Sequence, residues 1–151
     1  MTTKEYLQQA YRLDKRINSH IREQEELMQM ATSVSSPQWK EDVVQTSKSG
    51  DAPFLRTLEK MWELEEQITA EIDLYVDLKA QIHTVLNQVS NPDYLMVLRY
   101  RYIHNYCWER IGEELLADRR TVIRWHDAAI SQLKVPENPI VIDGSMGSRS
   151  R

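Results

Sequence analysis

The sequence predicts an all-α protein, in which a long helical hairpin is followed by a smaller helical domain. Only four glycines and five prolines occur among the 151 residues, and the good helix formers Glu, Leu, Arg and Gln are abundant. In addition, apolar residues recur with three-and-four spacing along two long segments. The predicted domains are residues 1–90, residues 91–135, and a tail at 136–151 that is expected to be largely disordered.

The hairpin begins with a helix predicted over residues 3–31, and a loop follows at 32–53. The loop is rich in Ser and Thr, contains Pro37, Gly50 and Pro53, and has no sustained period. It is longer than most loops within a compact domain, so it is expected to be partly disordered or functional. The apolar stripe of the first helix is Tyr6, Ala10, Leu13, Ile17, Ile21 and Met28, with Gln24 as its polar exception.

A second, coiled-coil-like helix is predicted over residues 54–89. Its seam is apolar at eight of ten positions, the exceptions being Glu65 and Lys79. Two arrangements remain open: antiparallel packing on the first helix, or self-association into a homodimer through the hairpin. The seam positions are Leu58, Met61, Glu65, Ile68, Ile72, Tyr75, Lys79, Ile82, Leu86 and Val89. A solvated acidic face is predicted from Glu59, Glu63, Glu65, Glu66, Glu71, Asp73 and Asp77.

A break at residues 90–94 separates the hairpin from three shorter helices, predicted at about 92–104, 108–116 and 119–133. Asn91 is a suitable helix cap, and Pro92 suits a first helical turn. Charge also changes at this break: residues 1–90 carry ten Lys and Arg against fifteen Asp and Glu, whereas 91–134 carry seven against six. A contact with nucleic acid is therefore expected only near the C-terminal end.

Composition excludes several other classes. No segment is long and apolar enough to span a membrane, and the N-terminus lacks the apolar core of a signal peptide. One cysteine cannot form an internal disulfide, which favours a reducing, cytoplasmic setting. Cys107 with His104 or His126 has neither a recognisable nucleophile motif nor zinc-ligand spacing, so no enzyme activity, metal or cofactor is predicted.

The stretch "WERIGEELLADRRTVIRW" fits a helix-turn-helix better than a catalytic pocket. Gly112 allows a close approach of the second helix, and Asp118 is a good cap for that helix, which starts at Arg119. The inner face of the first helix is predicted to be Ile111, Leu115 and Leu116, and the buried stripe of the second to be Val122, Trp125, Ala129 and Leu133. The exposed leading end is then Arg119, Arg120, Thr121, Ile123 and Arg124.

Residues 97–134, "VLRYRYIHNYCWERIGEELLADRRTVIRWHDAAISQLK", resemble region four of bacterial sigma factors, the module that recognises the −35 promoter element. The whole chain resembles small phage-encoded proteins of this kind, near the late-transcription activators of the ArpU and RinA type. By this resemblance, Arg119, Arg120, Thr121 and Arg124 contact DNA, and Arg101 on the preceding helix adds a contact to the DNA backbone or to polymerase.

Two residues depart from the family pattern. Leu116 stands at a turn position often held by Gly or Asp, and a left-handed leucine there would be strained. Cys107 stands where Thr or Ser often caps the first helix, and cysteine is a poor cap. These departures concern the geometry of the turn.

The resemblance implies a sequence-specific transcriptional regulator in the cytoplasm of a bacterial host. Its partners would be double-stranded promoter DNA and RNA polymerase or its sigma factor. No segment resembles the aromatic region that captures a melted strand, so the protein is not expected to open promoters alone. Two alternatives remain open: a small terminase-like DNA-packaging subunit, and a protein-interaction module with a degenerate helix-turn-helix.

Overall fold

A computed structural model describes residues 1–34 and 47–142, and these residues are mostly helical and contain no strand. The all-α prediction is therefore confirmed, and the first two helices pack together. The α-helices within these residues are α1 (Thr3–Val34), α2 (Ser47–Leu86), α3 (Pro92–Leu98), α4 (Trp108–Leu115) and α5 (Arg119–Ser131). A π-helical turn, Arg99–Ile103, continues α3.

The predicted loop is shorter than residues 32–53. The first helix runs on to Val34, and α2 already begins at Ser47. Pro53 therefore lies inside α2, where the missing N–H removes one backbone hydrogen bond close to the helix start. The rest of the predicted loop, residues 35–46, lies outside the described residues.

The second helix ends at Leu86 and not at residue 89 as predicted. The chain tightens there, because the Gln88 N–H donates to the Val85 carbonyl and the Val89 N–H donates to the Leu86 carbonyl, each at 3.1 Å. These shorter-range bonds satisfy carbonyl groups that a helix end leaves without partners. Val89 is nevertheless buried, so the apolar pattern identified a core residue beyond the helix itself.

The chain divides into two compact units. One combines Met1–Asp14 with the chain from Leu74 onward, and the other is Lys15–Asp73. In the second unit α2 buries Leu64 and Ile68, whereas Ile72 of the predicted seam is 42% exposed. A strict heptad pattern drifts by about 20° per heptad on a straight helix, so the buried face departs from the predicted seam.

Glu71 is the largest departure from the predicted acidic face. Its side chain is fully buried within the second unit. The Arg16 Nε atom lies 2.8 Å from Glu71 Oε2, and the His20 Nδ1 atom lies 2.6 Å from Oε1. The Arg16 Nε–H bond is not directed at Glu71 Oε2, so this contact is an ion pair without good hydrogen-bond alignment. The other acidic residues predicted on this face are exposed: Glu59, Glu63, Glu65, Glu66, Asp73 and Asp77.

The core of the first unit is built from the start of α1, the end of α2, and α3 to α5. Tyr6 is buried within it, and its hydroxyl donates to Gln81 Oε1 at 2.7 Å. Burial also raises the pKa of Tyr6 to about 12. The buried members of this core are Tyr6, Leu7, Ala10, Leu78, Ile82, Val85, Leu86, Val89, Leu98, Tyr102, Ala129 and Leu133.

The beginning of the tail is attached to α1 by hydrogen bonds. Gln9 Nε2 donates to the Ile140 carbonyl at 3.0 Å, and the Ile142 N–H donates to Gln9 Oε1 at 2.7 Å. Ile140 and Ile142 also pack against the core of the first unit. Residues 136–142 of the tail are therefore attached to the first unit, residues 143–151 lie outside the described residues, and the expectation that the tail is largely disordered stays a prediction.

The third helix starts as the sequence predicts. Asn91 Oδ1 accepts from the Asp93 N–H at 2.9 Å and from the Tyr94 N–H at 3.3 Å, and Pro92 is the first helical residue. At the far end, the π-helical turn closes when the His104 N–H donates to the Arg99 carbonyl at 3.1 Å. The predicted helix over 92–104 is thus present with its last turn widened.

Candidate nucleic-acid interface

The two helices of the predicted recognition segment, α4 and α5, pack on a small cluster of their own in the first unit. Val97, Ile111 and Val122 are fully buried in this cluster. The half-buried residues around them are Tyr100, Tyr106, Trp108, Leu115, Ala117 and Trp125. Trp108 and Trp125 are therefore packing residues, although Trp125, predicted on the buried stripe of α5, is only half-buried.

The connection from α4 to α5 is very tight at Gly112. The Ala117 N–H donates to the Gly112 carbonyl at 2.9 Å. A Cβ atom at position 112 would lie 2.5 Å from the Ala117 carbonyl oxygen. A close approach is present at Gly112, but the backbone that approaches belongs to the turn and not to the second helix as predicted.

The start of α5 is set by Asp118. Its Oδ1 accepts from the Thr121 N–H at 3.1 Å, which satisfies one of the N–H groups at the helix start. Hydrogen bonds from the Thr121 side chain and backbone hold the pKa of Asp118 below its ordinary value. The predicted cap is therefore present, and it fixes the first residues of α5 relative to the turn.

Leu116 adopts the left-handed conformation that would be strained for a leucine at this turn position. Its φ is 52° and its ψ is 46°, which is the left-handed region. Its side chain is 93% exposed, so the prediction that it belongs to the inner face of α4 is wrong. The left-handed turn directs this side chain away from the cluster that Ile111 and Leu115 join.

Replacing Leu116 with glycine is expected to raise the free energy of unfolding by up to about 1 kcal/mol. A left-handed L-residue costs about 1–2 kcal/mol, and the greater freedom of glycine in the unfolded chain offsets part of that relief. Leu116→Ala is the matched control, because it keeps the Cβ atom and hence the strain. Urea denaturation of both variants measures the difference, and equal stability of the glycine and alanine variants would count against strain at this residue.

The arginines at the leading end of α5 are exposed. Arg119 Nε lies 3.0 Å from Glu109 Oε1 on α4, with both side chains largely in solvent. Arg120 and Arg124 are also exposed, and neither forms an ion pair within the described part of the chain. Thr121 and Ile123 are half-buried. Two of the predicted DNA contacts are therefore fully available to a ligand, and Arg119 is available once it leaves Glu109.

Arg101 is engaged inside the protein. Its Nη1 donates to the Tyr106 carbonyl at 3.0 Å, and its guanidinium lies 4.1 Å from the centre of the Trp108 ring. These contacts tie the π-helical turn to the start of α4. The structure thus gives Arg101 a structural role, and its contact with DNA remains a prediction.

His126 is a buried residue that the sequence analysis did not place on the inner face of α5. Its Nε2 lies 2.6 Å from the Tyr102 hydroxyl, and its Nδ1 lies 3.1 Å from Asp127 Oδ1. The arrangement fits a tautomer in which Nδ1–H donates to Asp127 and Nε2 accepts from Tyr102. Its position four residues after Val122 is the sequence signal that would have identified it.

Stability is expected to fall between pH 7 and pH 5 partly because of His126. Burial lowers the pKa of His126 below its ordinary value of 6.5. Below pH 6.5 the unfolded chain therefore binds a proton that the folded protein does not, and stability is lost as the pH falls toward the folded-state pKa. His126→Gln should flatten this dependence, whereas His83→Gln, at an exposed histidine, should leave it unchanged. The free energy of unfolding is measured by urea denaturation at several pH values. If it fell equally with pH in the wild type and in His126→Gln, this assignment would be contradicted.

Cys107 lies at the N-cap of α4 and is exposed. Its side chain makes no capping hydrogen bond, which confirms that it is a poor cap. Across residues 1–34 and 47–142, no group of three or more His, Cys, Asp or Glu side chains could hold a metal ion. Within the same described residues, no helix is long and apolar enough to cross a membrane.

Comparison with known protein families gives a match that covers most of the chain. Residues 33–134 match a protein family described as "Protein of unknown function (DUF1492)". The matched region includes all of α2, α3, α4 and α5, so it contains the candidate interface. No curated protein and no solved structure matches the chain.

Proposed function

This chain belongs to the DUF1492 family, and we propose that it is a sequence-specific DNA-binding transcriptional regulator. In this proposal α4, the turn and α5 form a helix-turn-helix whose second helix enters the major groove. The observation that carries the proposal is the two-sided character of α5. One side is anchored by the buried residues Val122, His126 and Ala129, while the leading end presents Arg119, Arg120 and Arg124 to solvent.

The chemistry of that leading end suits DNA. Arginine pairs two-pronged with the O6 and N7 atoms of guanine, and it also binds phosphate. Arg120 and Arg124 are four residues apart, so they lie one turn apart on the same side of α5. The caps and the packing of α5 hold its backbone in place before DNA arrives, which lowers the entropic cost of binding.

The resemblance to sigma region four supplies the rest of the proposal. The protein would bind a promoter-proximal site and contact RNA polymerase or its sigma factor, as a phage late-gene activator does. Phosphate contacts would supply affinity that falls with salt, and the arginine–base pairs would supply specificity. Its place of action would be the cytoplasm of the bacterial host.

Alanine variants of Arg120 and Arg124 test the proposal. The binding site is first selected from a random duplex library with the wild-type protein. Arg120→Ala and Arg124→Ala are then each expected to lose about 1–3 kcal/mol of binding free energy for that site and to relax base preference at one position. Fluorescence anisotropy at two salt concentrations measures both effects.

Arg110→Ala is the matched control. Arg110 is exposed on α4, where its Nε lies 3.7 Å from Glu114 Oε1 and its guanidinium stacks on Tyr106. Replacing it with alanine changes the net charge by the same amount as either α5 variant does. This variant should keep the base preference of the wild type. Wild-type affinity and specificity in both α5 variants, with circular dichroism spectra unchanged, would refute the assignment of these arginines.

The alternative of a protein-interaction module is favoured by one specific observation. Leu116 projects an apolar side chain into solvent beside the exposed glutamates of α4, and Arg119 is already paired with Glu109. A protein partner could use such a mixed surface. Salt separates the two functions, because a DNA binder loses affinity steeply between low and moderate salt. The third possibility, a packaging subunit, would form ring-sized oligomers in light scattering.

A further inference from the structure

The exposed side of α2 in the second unit carries large apolar residues that nothing in the described chain covers. Trp62 is 60% exposed, Leu55 is 55% exposed, and Ile72 is 42% exposed. An exposed tryptophan is uncommon on a monomer surface and is enriched at the centres of protein interfaces. A surface depression of about 460 Å³ lies beside Trp62, lined by Glu65, Glu66, Thr69, Ala70 and Asp73.

Two of these residues, Leu55 and Trp62, lie on one stripe along the helix, whereas Ile72 lies about 80° around the helix from Trp62. Leu55, Trp62 and Thr69 follow one another at seven-residue intervals, which keeps them on one side of an α-helix. Trp62 and the buried Glu71 are nine residues apart, which is half a turn out of phase at 3.6 residues per turn. The stripe therefore faces away from the side of α2 that packs on α1.

The stripe is bordered by acidic residues. Residues 55–73 contain six Asp and Glu against two Lys and Arg. Of these acidic residues, only Glu71 is buried, and Glu63 lies 3.7 Å from Lys60. The exposed acidic side chains along the stripe are Glu59, Glu65, Glu66 and Asp73. Together with Leu55, Trp62, Thr69 and Ile72 they make up what is called here the acidic-apolar face.

We propose that the acidic-apolar face binds an amphipathic helix of a partner protein whose apolar side is flanked by Lys and Arg. The exposed face between Leu55 and Ile72 is about five helical turns long, which matches a helix laid alongside it. Basic residues on that helix would meet the acidic border, and its apolar residues would cover Trp62 and the adjacent depression.

Charge disfavours the other occupants. A second copy of this chain would bring the same acidic border against itself, which places like charges across the interface. Nucleic acid and anionic membranes would be repelled by the same carboxylates. The proposal does not rest on DNA binding by α5, because its residues are confined to the second unit.

Binding of a designed peptide tests the proposal with the full chain. The probe is a fluorescein-labelled amphipathic helix with leucine along one side and lysine at the flanking positions. A scrambled peptide of the same composition and a version with glutamate for lysine are the peptide controls. The leucine–lysine helix is expected to bind at least tenfold more tightly than either control in fluorescence anisotropy.

Variants of the protein locate the binding site. Trp62→Ala is expected to weaken binding at least tenfold, and Glu66→Lys at least fivefold. Met28→Ala, at an apolar residue that is 56% exposed on α1, and Glu26→Lys, at an exposed glutamate on α1, are the matched controls and should change affinity less than twofold. Both test positions are exposed, so thermal melts should match the wild type.

Three results would overturn the proposal. Equal binding of the scrambled peptide would show attraction by charge alone, and wild-type affinity in Trp62→Ala would place the peptide elsewhere. A wild-type dimer in sedimentation that Trp62→Ala converts to a monomer would show that a second copy occupies the face. None of these results depends on whether Arg120 and Arg124 bind DNA, so failure here and failure of the DNA-binding proposal are separable.

Discussion

Replacing Arg16 with methionine is expected to lower the free energy of unfolding by about 3–5 kcal/mol, the range seen when one member of a buried ion pair is removed. Glu71 is fully buried, and Arg16 Nε lies 2.8 Å from its Oε2. Methionine keeps most of the length of the side chain but removes the charge. The Glu71 carboxylate would then remain away from water without the guanidinium, with His20 beside it.

The double variant Arg16→Met with Glu71→Leu distinguishes loss of the ion pair from loss of packing. Because apolar residues of similar volume often replace a buried ion pair without loss, the double variant should recover most of the stability. Arg22→Met, at an exposed arginine of α1, is the matched control and should change stability by less than about 0.5 kcal/mol. Urea denaturation of the wild type, Arg16→Met, Glu71→Leu and the double variant gives the coupling energy between the two residues. If the effects of the two single changes simply added in the double variant, a specific pairing would be contradicted.

Replacing Gly112 with alanine is expected to destabilise the protein by about 3 kcal/mol, the upper end of the range for overpacking. The new Cβ atom would lie 2.5 Å from the Ala117 carbonyl oxygen, and a backbone atom cannot rotate away as a side chain can. Moving the turn outward would also break the 2.9 Å hydrogen bond from the Ala117 N–H to the Gly112 carbonyl. The gain of about 1 kcal/mol from the higher helix propensity of alanine is too small to compensate.

The same change should impair the candidate interface, because the turn sets where α5 begins. DNA binding is expected to fall together with stability, even at temperatures where the variant is still folded. Glu113→Ala, at the next and exposed position of α4, controls for an alanine in this helix and should have little effect on either property. A Gly112→Ala protein as stable as the wild type in urea would show that the turn does not approach α4 as closely as described.

Local features of this fold were predictable because they depend on near neighbours in the chain. The Asn91 and Asp118 caps involve residues within three positions, and both caps are present. The apolar periodicity likewise predicted the helices and the buried residues Val122 and Ala129 on α5. The exposure of Arg120 and Arg124 followed from the same periodicity, since the opposite side of α5 was already assigned to the core.

Features that depend on distant neighbours were missed. Glu71 contacts His20 across 51 positions of sequence, and His126 contacts Tyr102 across 24. Gln9 fixes the start of the tail at a separation of 131 positions. Periodicity does not show which polar residues contact each other, so Glu71 was assigned to solvent and the attachment of residues 140–142 to α1 was not predicted.

Sequence alone therefore determined the all-α class, the starts of the shorter helices and the arginines at the leading end of α5, because intrinsic propensity, capping and periodicity act over a few residues. Only the tertiary structure decided that Glu71 and His126 are buried and that the chain passes Leu116 in a left-handed turn. The reason is physical. Burial of a charge is favourable only when its partner from another helix is in place, and a strained turn persists only when the packing on both sides holds it.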